Sequence, residues 1–101
     1  LTLINRRVRI ASIDAVVLFV ERLPDSTVLY IRAANEADAR KLFESRPTLT
    51  NHSGELVSHI ASHAGGTGLE SLVTYVFDGT DSPTLCLHAA GREVFRTHEA
   101  E

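Results

Sequence analysis

The sequence predicts an α+β fold: a mainly antiparallel sheet of four or five strands with two or three helices on one face. Three observations predict it. Two pairs of apolar, β-branched runs flank Asp-Ser turn residues, at 14–34 and 69–90. An amphipathic stretch with acidic residues first and basic residues after lies between them. The chain has 101 residues, 44% of them apolar, which fits a single domain with a modest core.

The first pair reads "DAVVLFVERLPDSTVLYIRAA". Pro24 presets the backbone for a turn, and Asp25 and Ser26 favour turn geometry, so the segment is expected to be a hairpin. A competing reading caps a helix over 13–23 with Ser12. The β-branched content and the missing polar face argue against it. Asn35 then suits the N-cap of "EADARKLFESR", whose first turn is acidic and whose Ala39, Leu42 and Phe43 recur at helical spacing. Pro47 ends that helix.

Residues 48–52 form a polar link, after which Ser53 is expected to cap a second helix, "GELVSHIASHA", stopped by Gly65 and Gly66. The second hairpin is expected to turn within "DGTDSP", and "REVFRTHEAE" to be a short final helix. Shifted by 56 residues, 17–34 overlies 73–90 with seven identities in 18 positions, Val17/Val73 and Asp25/Asp81 among them. This suggests a tandem β-β-α repeat, with convergence on hairpin chemistry as the alternative. By the same offset, residues 1–8 correspond to a helix or to a strand. The expected core includes Leu29, Ile31, Phe43, Leu85 and Leu87.

The formal charge is −3, which argues against general binding to a nucleic-acid backbone. The Arg6, Arg7 and Arg9 cluster reads as a solvated segment, or as a contact for an acidic partner. The longest uninterrupted apolar run, "AVVLFV", is far short of the ~20 residues of a membrane helix. Cys86 is the only cysteine, so no intrachain disulfide forms, and a cytoplasmic location is expected. The chain lacks methionine and begins at Leu1, so a trimmed product or a piece of a longer chain is expected.

"SHIASHAGGTG" draws the eye to chemistry. At about 100° per residue on a helix, His59 and His63 fall beside Glu55, at the border of a stripe formed by Leu56, Val57, Ile60 and Ala64. An i, i+4 histidine pair with a carboxylate can hold zinc. Here Ile60 stands where a metalloprotease has glutamate, and His52, His88 and His98 are unfixed as further ligands. No metal or cofactor is expected. Phosphate loops place glycines before a helix, whereas these follow one.

Strand alternation marks a different candidate. Val28, Tyr30 and Arg32 share one face of their strand, opposite Leu29 and Ile31; Thr84, Cys86 and His88 share one face of theirs, opposite Leu85 and Leu87. If both hairpins join one sheet, Tyr30, Arg32, Cys86 and His88 form one wall. A mid-strand thiol lacks the helix dipole and oriented base of a nucleophile, so Cys86 with His88 is not expected to be a catalytic dyad. Two functions follow. The first is a non-catalytic interaction or regulatory module that forms a homodimer, or docks on another domain, through the open sheet face. The second is a binder of small anions, or a minor enzyme, in which Arg32 holds a carboxylate or phosphate and His88 acts as acid or base.

Overall fold

The structure, a computed structural model, describes residues 2–64 and 71–98. Among these, nine strands form two antiparallel sheets, joined by a single helix. Sheet A has the order β1-β2-β3-β7-β6, with β1 Thr2–Ile10, β2 Ile13–Arg22, β3 Ser26–Ala33, β6 His59–Ala64 and β7 Leu72–Asp78. Sheet B has the order β5-β4-β8-β9, with β4 Thr48–Thr50, β5 Leu56–Val57, β8 Thr84–Ala89 and β9 Arg92–His98. The helix α1 spans Glu36–Ser45.

The α+β character and the antiparallel pairing agree with the sequence reading; the division into two sheets and the single helix correct it. The first hairpin forms as expected: β2 pairs with β3, and Leu23 and Ser26 close the turn through reciprocal backbone hydrogen bonds. The Asn35 side chain accepts from the Asp38 amide at 2.8 Å, capping α1. Arg46 ends the helix in the left-handed region, followed by the buried Pro47.

The expected helix over 53–64 is instead a turn and two strands. The Asn51 side-chain oxygen accepts from the amides of Ser53 and Glu55, so Asn51 organises the turn and Ser53 caps nothing. The following residues complete the open edge of β7, where strand pairing satisfies their backbone groups. The Gly65–Gly66 stop lies outside the described residues. The expected second hairpin is not one: β7 pairs with β3 and β6, while β8 pairs with β4 and β9. The final segment is the strand β9, returned from β8 by Ala90 and Gly91. The tandem β-β-α repeat therefore fails, because the two runs of the second unit, β7 and β8, do not pair with each other and the strand β9 stands where the helix was expected.

One apolar cluster unites the layers. The inner face of sheet A contributes Val17, Leu29, Ile31, Val73 and Phe77; α1 adds Ala39 and Leu42; sheet B adds Leu49, Leu85, Leu87 and Phe95. Helix and second sheet thus cover the same side of sheet A. Phe43 lies outside this core at 38% exposure, because Ala39 and Leu42 already define the inward line of α1. The Tyr75 phenol donates to the Leu42 carbonyl at 2.7 Å and ties sheet A to the helix. No helix among the described residues is long and apolar enough to cross a membrane.

Two stability predictions follow. Ala11 and Ser12 both have positive φ in the two-residue turn between β1 and β2, a conformation suited to Asn-Gly. Ala11→Asn and Ser12→Gly should each stabilise by about 0.5–1 kcal/mol, read as a rise in Tm of several degrees. Burial holds the Tyr75 phenol well above its ordinary pKa, with the neighbouring Ser45 hydroxyl pulling the other way. An unfolded tyrosine ionises near pH ~10. Stability is therefore full below that pH and falls as the pH rises above it, because the unfolded chain loses the proton first. Denaturant titrations should show this alkaline loss shrinking in Tyr75→Phe.

Candidate functional site

The outer face of sheet A is built by strand alternation. Across the sheet, its side chains form rows fixed by the registers. One row holds Arg7, Val16, Arg32 and Leu72; the next holds Leu3, Phe19, Tyr30 and Thr74; the third holds Glu21, Val28 and Val76; Ser26 and Asp78 close that end. A bulge in β2 between Val17 and Phe19 keeps Phe19 on this face opposite Tyr30. The two rings lie 4.2 Å apart between centroids, tilted by 31°. The Tyr30 hydroxyl donates to Glu21 Oε1 at 3.1 Å. Partial burial raises the phenol's pKa, and the Glu21 hydrogen bond and charge add to the rise.

None of these outer-face residues belongs to the main apolar cluster; Val28 is buried yet stands apart from it. The face is thus apolar at its centre, with the guanidinium groups of Arg7 and Arg32 beside the carboxylate of Asp14 at one end and the carboxylates of Glu21 and Asp78 at the other. At the basic end, Arg7 and Arg32 line an open cavity of about 470 Å³ with Asp14 and Val16.

The structure separates the four residues that the sequence placed on one wall. Tyr30 and Arg32 share the outer face of sheet A. Cys86 and His88 share the outer face of sheet B, because β8 leaves β7 to pair with β4 and β9. There Cys86 lies between Thr50 and Arg96, and His88 lies between Thr48 and Glu93. Thr50, His52, Cys86, His88 and Arg96 line a cavity of about 240 Å³.

The chemistry of that second cavity is restrained. His88 Nε2 is bonded to Thr50 Oγ1 at 3.0 Å, so this nitrogen is engaged with a hydroxyl. Arg96 is paired with Glu93 at 2.8 Å, which lowers the carboxyl's pKa and raises that of the guanidinium; the nearby Cys86 adds to the latter. His52 Nδ1 lies 2.9 Å from Ser82 Oγ, a distance reminiscent of a base and a nucleophile. But Ser82 is buried and donates its only hydroxyl proton to the Thr84 carbonyl at 2.7 Å. It also accepts from the His52 amide at 2.9 Å. His52 Nδ1 must then be the donor in the ring contact, and Ser82 is a structural clasp between the β4–β5 turn and β8.

The histidines of "HIASH" lie on opposite faces of their strand. A bulge in β6 places His59 opposite Phe77 on the inner face and His63 opposite Thr74 on the outer face. His59 packs edge-on against Phe77, with centroids 5.7 Å apart, and bonds Ser62 Oγ at 2.7 Å. No group of three or more His, Cys, Asp or Glu side chains suited to a metal ion occurs among the described residues.

Sequence reasoning missed Phe19, Arg7 and Val76 on the outer face. The 2-residue period alone places Phe19 with the core residues Val17 and Val20 in ambiguous fashion, and only the bulge resolves it. The Ser82 clasp had a signal in "DSP", read as a turn only. Ser82→Ala should destabilise the fold by about 1–3 kcal/mol, since it removes the bonds that the Ser82 hydroxyl makes to the His52 amide, the His52 ring and the Thr84 carbonyl. Thermal unfolding measures this, and an unchanged Tm would count against the clasp. Comparison of the chain with protein-family models, curated proteins and solved structures finds no match.

Proposed function

We propose that this chain is a non-catalytic interaction or regulatory module that self-associates through the outer face of sheet A. One observation carries the reading. Phe19, Tyr30, Val28 and Val76 make a contiguous apolar centre on a face that neither α1 nor sheet B covers. A sheet with one covered and one partly apolar face gains stability by burying the second against another surface. The charged ends supply a polar rim, as in protein interfaces.

A second reading has one observation in its favour. Arg7 and Arg32 line the same cavity, and two guanidinium groups can hold a carboxylate or phosphate. His88 lies on the other sheet and takes no part in it, so this reading is of binding and not of acid-base catalysis.

Sedimentation at micromolar concentration distinguishes them. The interaction reading expects a dimer, and Phe19→Glu should give a monomer that keeps its thermal stability within a few degrees, because Phe19 is outside the core. A monomeric wild-type chain that binds inorganic phosphate, with the affinity lost in Arg32→Ala, would favour the anion reading instead.

A further inference from the structure

The layout of charge on the outer face says how two copies would meet. The basic row, with Arg7 and Arg32, and the acidic end, with Glu21 and Asp78, lie on opposite sides of the Phe19–Tyr30 row. Arg32 and Val28 are four residues apart on β3, and Glu21 is the cross-strand neighbour of Val28. The opposed charges are thus about 14 Å apart along the strands. Among the described residues, neither Arg7 nor Arg32 is engaged in a salt bridge.

Two sheets packed face to face with aligned strands can be related by either of two in-plane two-fold axes. An axis parallel to the strands brings the basic row of one copy over the basic row of the other. An axis perpendicular to the strands, passing through the Phe19–Tyr30 row, brings Arg32 of each copy over the Glu21 region of its partner. We infer that the partner of this face is a second copy of the chain, related by the perpendicular axis, with Arg32 paired to Glu21 twice and the aromatic rows stacked between the pairs. This rests on the self-association reading and adds its geometry. Like charges brought together in the other arrangement would repel, so charge favours one axis even where apolar packing would accept both. Five strands about 4.8 Å apart span about 19 Å, and four rows about 6.7 Å apart span about 20 Å, so the face offers roughly 400 Å² per copy, the size of a weak, reversible interface.

Charge reversal tests the geometry separately from the association. The dimer constant is measured by sedimentation for the wild type, Arg32→Glu, Glu21→Arg and the double reversal, with melting temperatures as the control for folding. Each single reversal should weaken the dimer by about tenfold or more. The double reversal should restore it, because the face keeps its opposed ends. Should Glu21→Arg fail to fold through loss of its Tyr30 bond, Asp78→Arg takes its place. A dimer strengthened by Arg32→Glu would overturn the perpendicular axis in favour of the parallel one. If Phe19→Glu dissociates the dimer while every charge reversal leaves it unchanged, the face is the interface and the inferred pairing is wrong. A wild-type chain that stays monomeric at millimolar concentration sinks both.

Discussion

The pairing of β3 with β7 is the constraint on which the rest of the structure depends. A strand has two edges. β3 gives one to β2 and the other to β7, a partner some forty residues further along the chain. β7 then gives its remaining edge to β6, and nothing is left for β8, which must find its partners in a second sheet. The same register sets Tyr75 beside Leu29 on the inner face, where its phenol reaches the Leu42 carbonyl and fixes α1 over the sheet. The crossing from β7 to sheet B needs a close approach of two backbones. Gly79 donates to the Asp25 carbonyl at 3.1 Å, and a Cβ at position 79 would meet the Pro24 carbonyl oxygen at 2.8 Å. Any side chain there would push the β2–β3 turn away from the linker.

This explains which parts of the fold were legible in the sequence. Local signals worked where local chemistry decides. Pro24 with Asp25 announced a turn, Asn35 announced a cap, and alternation around Leu29 and Leu85 gave the inner faces of β3 and β8. What failed was non-local. The run after "DGTDSP" has the pattern of a hairpin partner, but strand pattern does not name the partner, and β3 out-competes β8 for β7. Two further hairpins were hidden because Ala11–Ser12 and Ala90–Gly91 adopt positive φ with few of the residues that usually declare it. The stretch 56–64 shows the limit of periodicity. Leu56, Val57, Ile60 and Ala64 make an apolar stripe if the stretch is wound as a helix, yet Leu56 and Ile60 are exposed in the strands that form. Its helical preference is overridden by the open edge of β7, whose amides and carbonyls need partners.

The candidate site was legible by face and not by sheet. Alternation placed Tyr30 with Arg32, and Cys86 with His88, and both pairs do share a face. Merging them required the second hairpin, so the merger failed with it. The separation alters the chemistry. A thiol and an imidazole beside a cation and a phenol would have made a mixed binding wall; apart, they become two surfaces of different character. On sheet B, His88, His52 and Arg96 are each engaged with a neighbouring side chain, at Thr50, Ser82 and Glu93. On sheet A the corresponding polar groups stand at the two ends of an apolar strip.

The edges of sheet A bear on the same question. An open sheet associates either edge to edge, by extending its hydrogen-bond ladder, or face to face, by burying side chains. At one edge, β1 carries Arg6, Arg7 and Arg9, and its ladder to β2 is interrupted between Leu3 and Arg6, where Asn5 has φ 52°. At the other, β6 is only six residues long and is bulged between His59 and Ala61. Clustered cations, short length and bulges each disfavour the addition of another strand, because they repel it or break the regular spacing of donors and acceptors. The proposed two-fold pairing of faces would need no free ladder. It would use side chains that the registers of β2, β3 and β7 already hold in rows. The bulge that brings Phe19 opposite Tyr30 supplies the centre of that face, while the irregularities of β1 and β6 disfavour association at the edges.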